Sequence, residues 1–112
     1  MKKIEAIFRP ERLDLVKKRL EAIGIRGMTL TQVMGCGQQK GEVGHYRGCE
    51  YPITLRAKVK LELVVSDGEA ERVLNCIAEA ARTGQVGDGK IFVFPMEDAL
   101  RIRTGERGPE AL

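Results

Sequence analysis

KVKLELVV at residues 58–65, followed by SDGEAERVLNCIAEAA at 66–81, carries the two patterns that decide the fold. Apolar side chains occupy every odd position from 59 to 65 while most even positions are polar, which is typical of a strand with one buried face. Ser66, with Glu69 three residues later, matches a capping box and predicts the start of a helix. The apolar residues that follow fall on one helical stripe: Ala70, Val73, Leu74, Ile77, Ala78 and Ala81.

The first 34 residues repeat the order strand, helix, strand. Alternation over residues 2–8 places Ile4, Ala6 and Phe8 on one face of a strand, and alternation over 28–34 predicts another. Between them Pro10 opens a helix that ends before Gly24, a typical helix C-cap residue. IFVF at 91–94 predicts the last strand of the sheet.

This element order predicts an α+β, ferredoxin-like βαββαβ sandwich, with both helices on one face of a four-stranded sheet. The bare face carries Ile7, Val33 and Val64 among polar residues, which favours self-association. We interpret residues 1–112 as one domain. We expect a mobile loop at 36–55, where no periodicity is visible, a Gly-rich loop at 83–90 and a flexible tail at 105–112. Residues 100–103 read as a short extended segment.

Composition excludes several classes of protein. The charged residues behind the net charge of +3 are interspersed along the sequence, and aromatics make up only 4% of it. Nucleic-acid-binding proteins typically have a concentrated basic face with base-stacking aromatics, and no such pattern is apparent. Charges come too early for a signal peptide, and no apolar run reaches the roughly 20 residues of a membrane span. Three cysteines without a C-x-x-C pair indicate a reducing compartment, the cytoplasm. His45 with Cys36 and Cys49 lacks zinc-site spacing, and we predict no catalytic residues.

Two glycine-rich segments are candidate anion nests. TGQVGDGK at 83–90 contains G-x-x-x-x-G-K, but Ile91 stands where a P-loop has Ser or Thr, and the segment runs from helix to strand. Its backbone N–H groups and Lys90 could still cradle a phosphate; the alternative is an ordinary connecting loop. GCGQQKG at 35–41 is the second candidate, or a flexible strand exit. Lys58, Lys60, Arg101 and Arg103 are phosphate-binding candidates or surface charges.

The motifs taken together resemble the PII nitrogen-regulatory signal-transduction proteins over nearly the full length of the chain. The resemblance lies in GMT at 27–29, GxQKG at 37–41, YRGxEY at 46–51, KxK at 58–60, TGxxGDGKIFV at 83–93 and RIRTG at 101–105. It implies a homotrimer with ATP or ADP bound in clefts between subunits. By that likeness the phosphates are held by Gly87, Asp88, Gly89 and Lys90 and by Arg101 and Arg103 of the adjoining subunit, with Gly35, Gly37, Gln38 and Gln39 beside them and Thr29, Glu62 and Val64 near the adenine.

The family also senses 2-oxoglutarate, bound beside ATP through Mg²⁺. By resemblance, Gln39 contributes to the metal site and Lys58 pairs with the distal carboxylate. The rest of the 2-oxoglutarate site comes from Gly37, Lys40 and Gly41.

The resemblance further implies a non-catalytic regulator whose long loop is recognised by partner proteins. These are an ammonium channel, which is the only expected link to a membrane, and enzymes of nitrogen metabolism. The implied partner contacts are Tyr46, Arg47, Glu50 and Tyr51. Tyr51 is also a candidate for modification by a nucleotidyl-modifying enzyme. The alternatives are a slow ATPase or a ferredoxin-like amino-acid-binding regulatory module.

Overall fold

A computed structural model of the chain describes residues 1–36, 43–46, 49–52 and 55–112, with only the backbone at 43–46 and 49–52. The strands are β1 (Lys2–Phe8), β2 (Thr29–Cys36), β3 (Val43–Tyr46), β4 (Cys49–Pro52), β5 (Leu55–Val65) and β6 (Gly89–Pro95). The helices are α1 (Leu13–Ala22) and α2 (Asp67–Ala81), with short 3-10 turns at Pro10–Arg12 and Gly108–Ala111. Neither described helix is both long and apolar enough to cross a membrane.

The main sheet has the strand order β2-β5-β1-β6, with every neighbouring pair antiparallel. Each helix therefore connects two parallel strands that are separated by a third, which is the split βαβ arrangement. The predicted ferredoxin-like fold is confirmed. In the register, Ala6 lies opposite Leu61 on one side and Ile91 on the other. These three residues face the helices.

The hydrophobic core fills the space between the sheet and the two helices. The odd-numbered residues 59–65 of β5 are buried as the alternation predicts, and Ile4, Ala6 and Phe8 are buried beside them. Val16 and Leu20 of α1 pack against this layer. Helix α2 contributes Val73, Ile77, Ala80 and Ala81. Ala80 was absent from the predicted stripe, although it follows Ile77 at a helical spacing of three residues.

Two local predictions are corrected by the structure. Ser66 does lie at the N-cap of α2, but its side chain makes no capping hydrogen bond; the N–H of Glu69 bonds to the Ser66 carbonyl oxygen at 3.0 Å instead. The predicted extended segment at 100–103 is wrong. Leu100 pairs with Arg107, and the N–H of Gly105 bonds back to the Arg101 carbonyl oxygen at 2.7 Å, which closes a turn.

The segment between β2 and β5 contains regular structure that the sequence analysis did not predict. β3 and β4 pair antiparallel as a separate two-stranded sheet, with His45 opposite Glu50. A backbone ladder of this kind requires no alternation of apolar side chains, so the pattern carried no signal for it. The mobility of the 36–55 loop stays a prediction.

The C-terminal tail makes several contacts with the segment that precedes it. The Arg101 guanidinium pairs with Glu106 at 3.0 Å and donates to the carbonyl oxygen of Leu112 at 3.0 Å. The N–H of Gly108 bonds to the carbonyl oxygen of Ala99 at 2.9 Å. These bonds would restrain the tail, and its flexibility stays a prediction.

Candidate anion-binding site

A cleft of about 680 Å³ opens where four strand ends meet. The register places Gly89, at the start of β6, opposite Phe8 at the end of β1, and Phe8 opposite Val59 of β5. Gly35, near the end of β2, lies opposite Arg56 of β5. The described residues that line the cleft are Ile7, Gly35, Cys36, Arg56, Lys58, Gln85, Val86, Gly87, Asp88, Gly89, Lys90 and Phe92.

Glycines set the path of the loop that borders this cleft. Gly84, Gly87 and Gly89 have φ values of +89°, +101° and +105°, a region that other residues rarely adopt. At Gly89 a side chain is also excluded by space, since a Cβ would lie 1.8 Å from the carbonyl oxygen of Ile7. With no side chain at these positions, an anion can approach the main chain of the loop closely.

Asp88 organises the loop through its side chain. One carboxylate oxygen accepts hydrogen bonds from the N–H groups of Thr83 and Gly84, each at 2.8 Å. The other oxygen accepts from the Thr83 hydroxyl and from Nε of Arg9, the latter at 3.2 Å. Burial opposes ionisation, but the bonds from Thr83, Gly84 and Arg9 outweigh it and hold the pKa of Asp88 well below its usual range.

The charge of the cleft favours an anion. Among the described residues that line it, Arg56, Lys58 and Lys90 are cationic and Asp88 alone is acidic. Lys58 donates a hydrogen bond from Nζ to the carbonyl oxygen of Gly87, which links β5 to the loop. Burial, and then the nearby Arg9 guanidinium, lower the pKa of Lys58. An anion beside Lys58 would favour its charged form.

The structure brings together six of the predicted site residues around this one cleft. They are Gly35, Lys58, Gly87, Asp88, Gly89 and Lys90. Their chain neighbours Gly37, Gln38, Gln39, Lys40 and Gly41 lie outside the described residues, as do Arg47 and the side chains of Tyr46, Glu50 and Tyr51.

The predicted adenine residues lie elsewhere on the same sheet. Thr29 and Glu62 are direct cross-strand partners. The seven residues of β5 from Lys58 to Val64 are six steps of about 3.4 Å, which span roughly 20 Å. Glu62 pairs with Lys3 at 3.2 Å and with Lys60 at 3.4 Å, and the Lys3 hydrogen bond is the main reason that its pKa is lowered.

The remaining predicted phosphate ligands are Arg101 and Arg103. They follow β6, which starts at the cleft with Gly89 and ends at Pro95, opposite Lys2. Neither arginine lines the cleft among the described residues. One chain therefore carries one group of predicted ligands at the cleft and a second group outside it.

The sequence analysis missed Arg9 and Arg12, which contact the loop and the end of α2. Arg9 pairs with Asp88, and Arg12 donates from Nε to the carbonyl oxygen of Ala80 at 3.0 Å. These contacts join residues about seventy positions apart or more, and ordinary arginines after a strand carry no signal for them.

Comparison with known proteins identifies the family. The family model "Nitrogen regulatory protein P-II" matches residues 1–106. The chain belongs to the P-II family. It is 54% identical over 112 residues to the nitrogen regulatory protein P-II of Rhodospirillum rubrum and 52% identical to that of Azospirillum brasilense, covering 100% of each chain.

A solved structure supports the P-II fold directly. The crystal structure of Arabidopsis thaliana PII bound to citrate matches with a TM-score of 0.81 and 47% identity, covering 99% of this chain and 91% of that one. The predicted resemblance is thereby confirmed. The names of these relatives are those of regulatory proteins.

Proposed function

We propose that this chain binds ATP or ADP in the cleft and, together with MgATP, 2-oxoglutarate, and that the bound state controls partner proteins through the 36–55 loop. The observation that carries the proposal is the gathering of Gly35, Lys58 and the 87–90 segment around one cationic cleft. In it, the glycine-rich backbone and Lys90 suit a polyphosphate. The relative bound to citrate, a tricarboxylate, supports anion binding by this fold.

The placement of the remaining candidates supports a site shared between subunits. Thr29, Glu62 and Val64 lie towards the end of the sheet from which the chain continues to Arg101 and Arg103. By the strand rise, Glu62 is roughly 14 Å and Val64 roughly 20 Å from Lys58. A neighbouring copy could present that end to the cleft, so that each nucleotide contacts two chains. Identical head-to-tail contacts close into a ring, and we propose the homotrimer of the family.

Metal binding would depend on the ligands more than on the protein. In the described part of the chain no group of three or more His, Cys, Asp or Glu side chains gathers to hold a metal. Mg²⁺ would take phosphate oxygens and the two chelating oxygens of 2-oxoglutarate, with Gln39 from the protein. Lys58 would pair with the distal carboxylate, and Gly37, Lys40 and Gly41 would complete the 2-oxoglutarate site.

The signalling loop begins and ends beside this cleft. β2 ends at Cys36 and β5 begins at Leu55, next to the cleft residues Gly35 and Arg56. Ligands that differ in affinity for two loop conformations shift their populations, and a coupling of about 1–3 kcal/mol changes partner affinity by roughly 5- to 150-fold. The proposed partners are a cytoplasmic nitrogen-metabolism enzyme, an ammonium channel and an enzyme that modifies Tyr51, with Tyr46, Arg47 and Glu50 as further contacts.

Titration calorimetry on the purified chain tests the proposal. We expect saturable binding of ATP and of ADP, and heat from 2-oxoglutarate only when MgATP is present. Sedimentation of the same sample should give three times the monomer mass. A monomer that takes up neither nucleotide would refute the proposed site, and 2-oxoglutarate binding without nucleotide would favour a plain small-ligand module.

A further inference from the structure

The junction between β1 and α1 supports the cleft loop with two arginines. Arg12 donates to the carbonyl oxygen of Ala80 in the last turn of α2, immediately before the loop. Arg9 reaches the loop itself, with Nε 3.2 Å from a carboxylate oxygen of Asp88 and Nη2 2.8 Å from the carbonyl oxygen of Val86. Arg9 is not among the residues that line the cleft, so the loop is held by a group outside it.

The hydrogen bonds of Asp88 set it apart from its neighbours in the loop. Both of its carboxylate oxygens are occupied by Thr83, Gly84 and Arg9. An unpaired carboxylate beside the cleft would repel a phosphate, but the ion pair with Arg9 compensates the charge of Asp88. The side chain of Asp88 therefore acts within the loop, although the residue itself borders the cleft.

The Arg9 contact with Val86 fixes the orientation of a peptide group. In a trans peptide the carbonyl and the following N–H point in opposite directions. With the Val86 carbonyl oxygen bound to Arg9, the N–H of Gly87 points away from Arg9. Gly87 has a φ of +101° and no side chain, so by itself this peptide would sample many conformations.

We propose that Arg9 and Asp88 are positioning residues, whose side chains hold the 83–88 turn in the conformation that binds a polyphosphate without themselves touching the ligand. This inference rests on the proposed function of the cleft. Its physical basis is preorganisation: a loop fixed before binding loses less conformational entropy when the anion arrives. Affinity for the phosphate part of a ligand should then depend on Arg9, while affinity for the nucleoside part should not.

Asp88→Asn isolates the link to Arg9. An Asn side chain can keep its oxygen towards the N–H groups of Thr83 and Gly84, but its NH₂ would then face Nε of Arg9, donor against donor. Arg9→Gln removes the same link from the other side. Arg72→Gln is the matched control, since Arg72 forms an exposed pair with Glu69 in the first turns of α2.

The experiment measures the affinities of ATP, inorganic tripolyphosphate and adenosine for the full chain and these variants. We expect Arg9→Gln and Asp88→Asn each to weaken both polyphosphate ligands by about tenfold, equal to ~1.4 kcal/mol, and to leave adenosine unchanged. The double variant should be no weaker than the worse single one, because both break one link. Arg72→Gln should match the parent chain.

Three results would overturn the positioning role. They are unchanged tripolyphosphate affinity in both variants, an equal loss of adenosine affinity, and additive losses in the double variant. If the parent chain binds no ATP, the proposed function fails and this inference fails with it, a result distinct from the other three. Should Arg9→Gln not fold, Arg9→Lys serves instead: one ammonium can pair with Asp88 or with the Val86 carbonyl oxygen but cannot reproduce the two-pronged contact, so tripolyphosphate affinity should again fall selectively.

Discussion

Gly89 lies against the backbone of Ile7 so closely that a Cβ on Gly89 would be 1.8 Å from the Ile7 carbonyl oxygen and 2.8 Å from its carbonyl carbon. No side-chain rotation relieves a contact between a Cβ and backbone atoms. We therefore expect Gly89→Ala to lower the free energy of unfolding by at least about 2 kcal/mol, from the clash and the φ of +105° together. Urea unfolding followed by circular dichroism measures this.

Two other glycines provide controls for that substitution. Gly24 also has a positive φ, +89°, but nothing lies within 4 Å of a Cβ there, so Gly24→Ala should cost only about 1 kcal/mol. Gly68 lies in the first turn of α2 with open space around it, and Gly68→Ala should leave stability unchanged or raise it by up to about 1 kcal/mol. Equal losses at all three positions would contradict the steric explanation for Gly89.

The bonds to Asp88 should give stability a specific acid dependence. Because the pKa of Asp88 is lower in the folded chain than in the unfolded chain, the unfolded chain takes up the proton first as the pH falls. This contribution is therefore complete above about pH 4 and is lost as the pH drops below that value.

Asp88→Asn cannot titrate, which makes it the reference for this effect. At pH 7 we expect it to be less stable than the parent by about 1–2 kcal/mol, the value of charge-assisted hydrogen bonds reduced for partial exposure. The difference in the free energy of unfolding between the parent and Asp88→Asn should decrease as unfolding is measured from pH 4 down to pH 2. A free-energy difference that stays constant over this range would show that the ionised carboxylate does not stabilise the fold.

Lys58 should separate the two proposed ligands. Its Nζ is bonded to Gly87 and lies beside the cleft. Lys58→Gln removes the cation, so we expect 2-oxoglutarate affinity in the presence of MgATP to fall at least tenfold, since a hydrogen bond to a charged group is worth about 1.5–3 kcal/mol. ATP alone should bind within about threefold of the parent, equivalent to under 1 kcal/mol. Calorimetry with each ligand measures both affinities. Equal losses of affinity for ATP and for 2-oxoglutarate would indicate that Lys58 contacts the nucleotide.

The open face of the sheet should be the face that assembles. Phe92 and Val93 are neighbours on β6 with similar exposures of 43% and 45%, and they point to opposite faces. Phe92 shares the open face with Glu5, whereas Val93 shares the helix side with Ile4. We expect Phe92→Glu to dissociate the proposed trimer in sedimentation experiments and Val93→Glu to retain it. Dissociation by Val93→Glu alone would assign the interface to the other side.

Local sequence patterns predicted the helices and the four-stranded sheet well, because the alternation of apolar and polar residues reflects which side chains are buried. The odd positions of β5 from 59 to 65 are all buried, and the order of the four sheet strands follows from one fold-level rule. Gly24 has the positive φ expected of a helix C-cap. In each case a single residue type or a short period reflects a local constraint.

Predictions that depended on contacts between distant segments were less successful. The hydrogen bond between Arg9 and Asp88 joins residues 79 apart in sequence, and neither the residue types nor their spacing predict it. Arg101 and Arg103 were predicted on an extended segment, but the hydrogen bond from the Gly105 N–H to the Arg101 carbonyl oxygen forms a turn. Residue identity predicted an anion as the ligand of the cleft, which stays a prediction, while the geometry of its loop required the structure.

The location of Lys90 at the cleft and of Arg101 outside it has a genetic consequence. In the proposed ring, each site combines the cleft of one chain with Arg101 of its neighbour. A chain with Lys90→Ala damages the cleft half of a site, and a chain with Arg101→Ala damages the other half. Neither variant alone forms a complete site. Wherever the two are co-expressed and mix, every ring that contains both has one junction at which the two undamaged halves meet, so a pair of inactive alleles should complement each other.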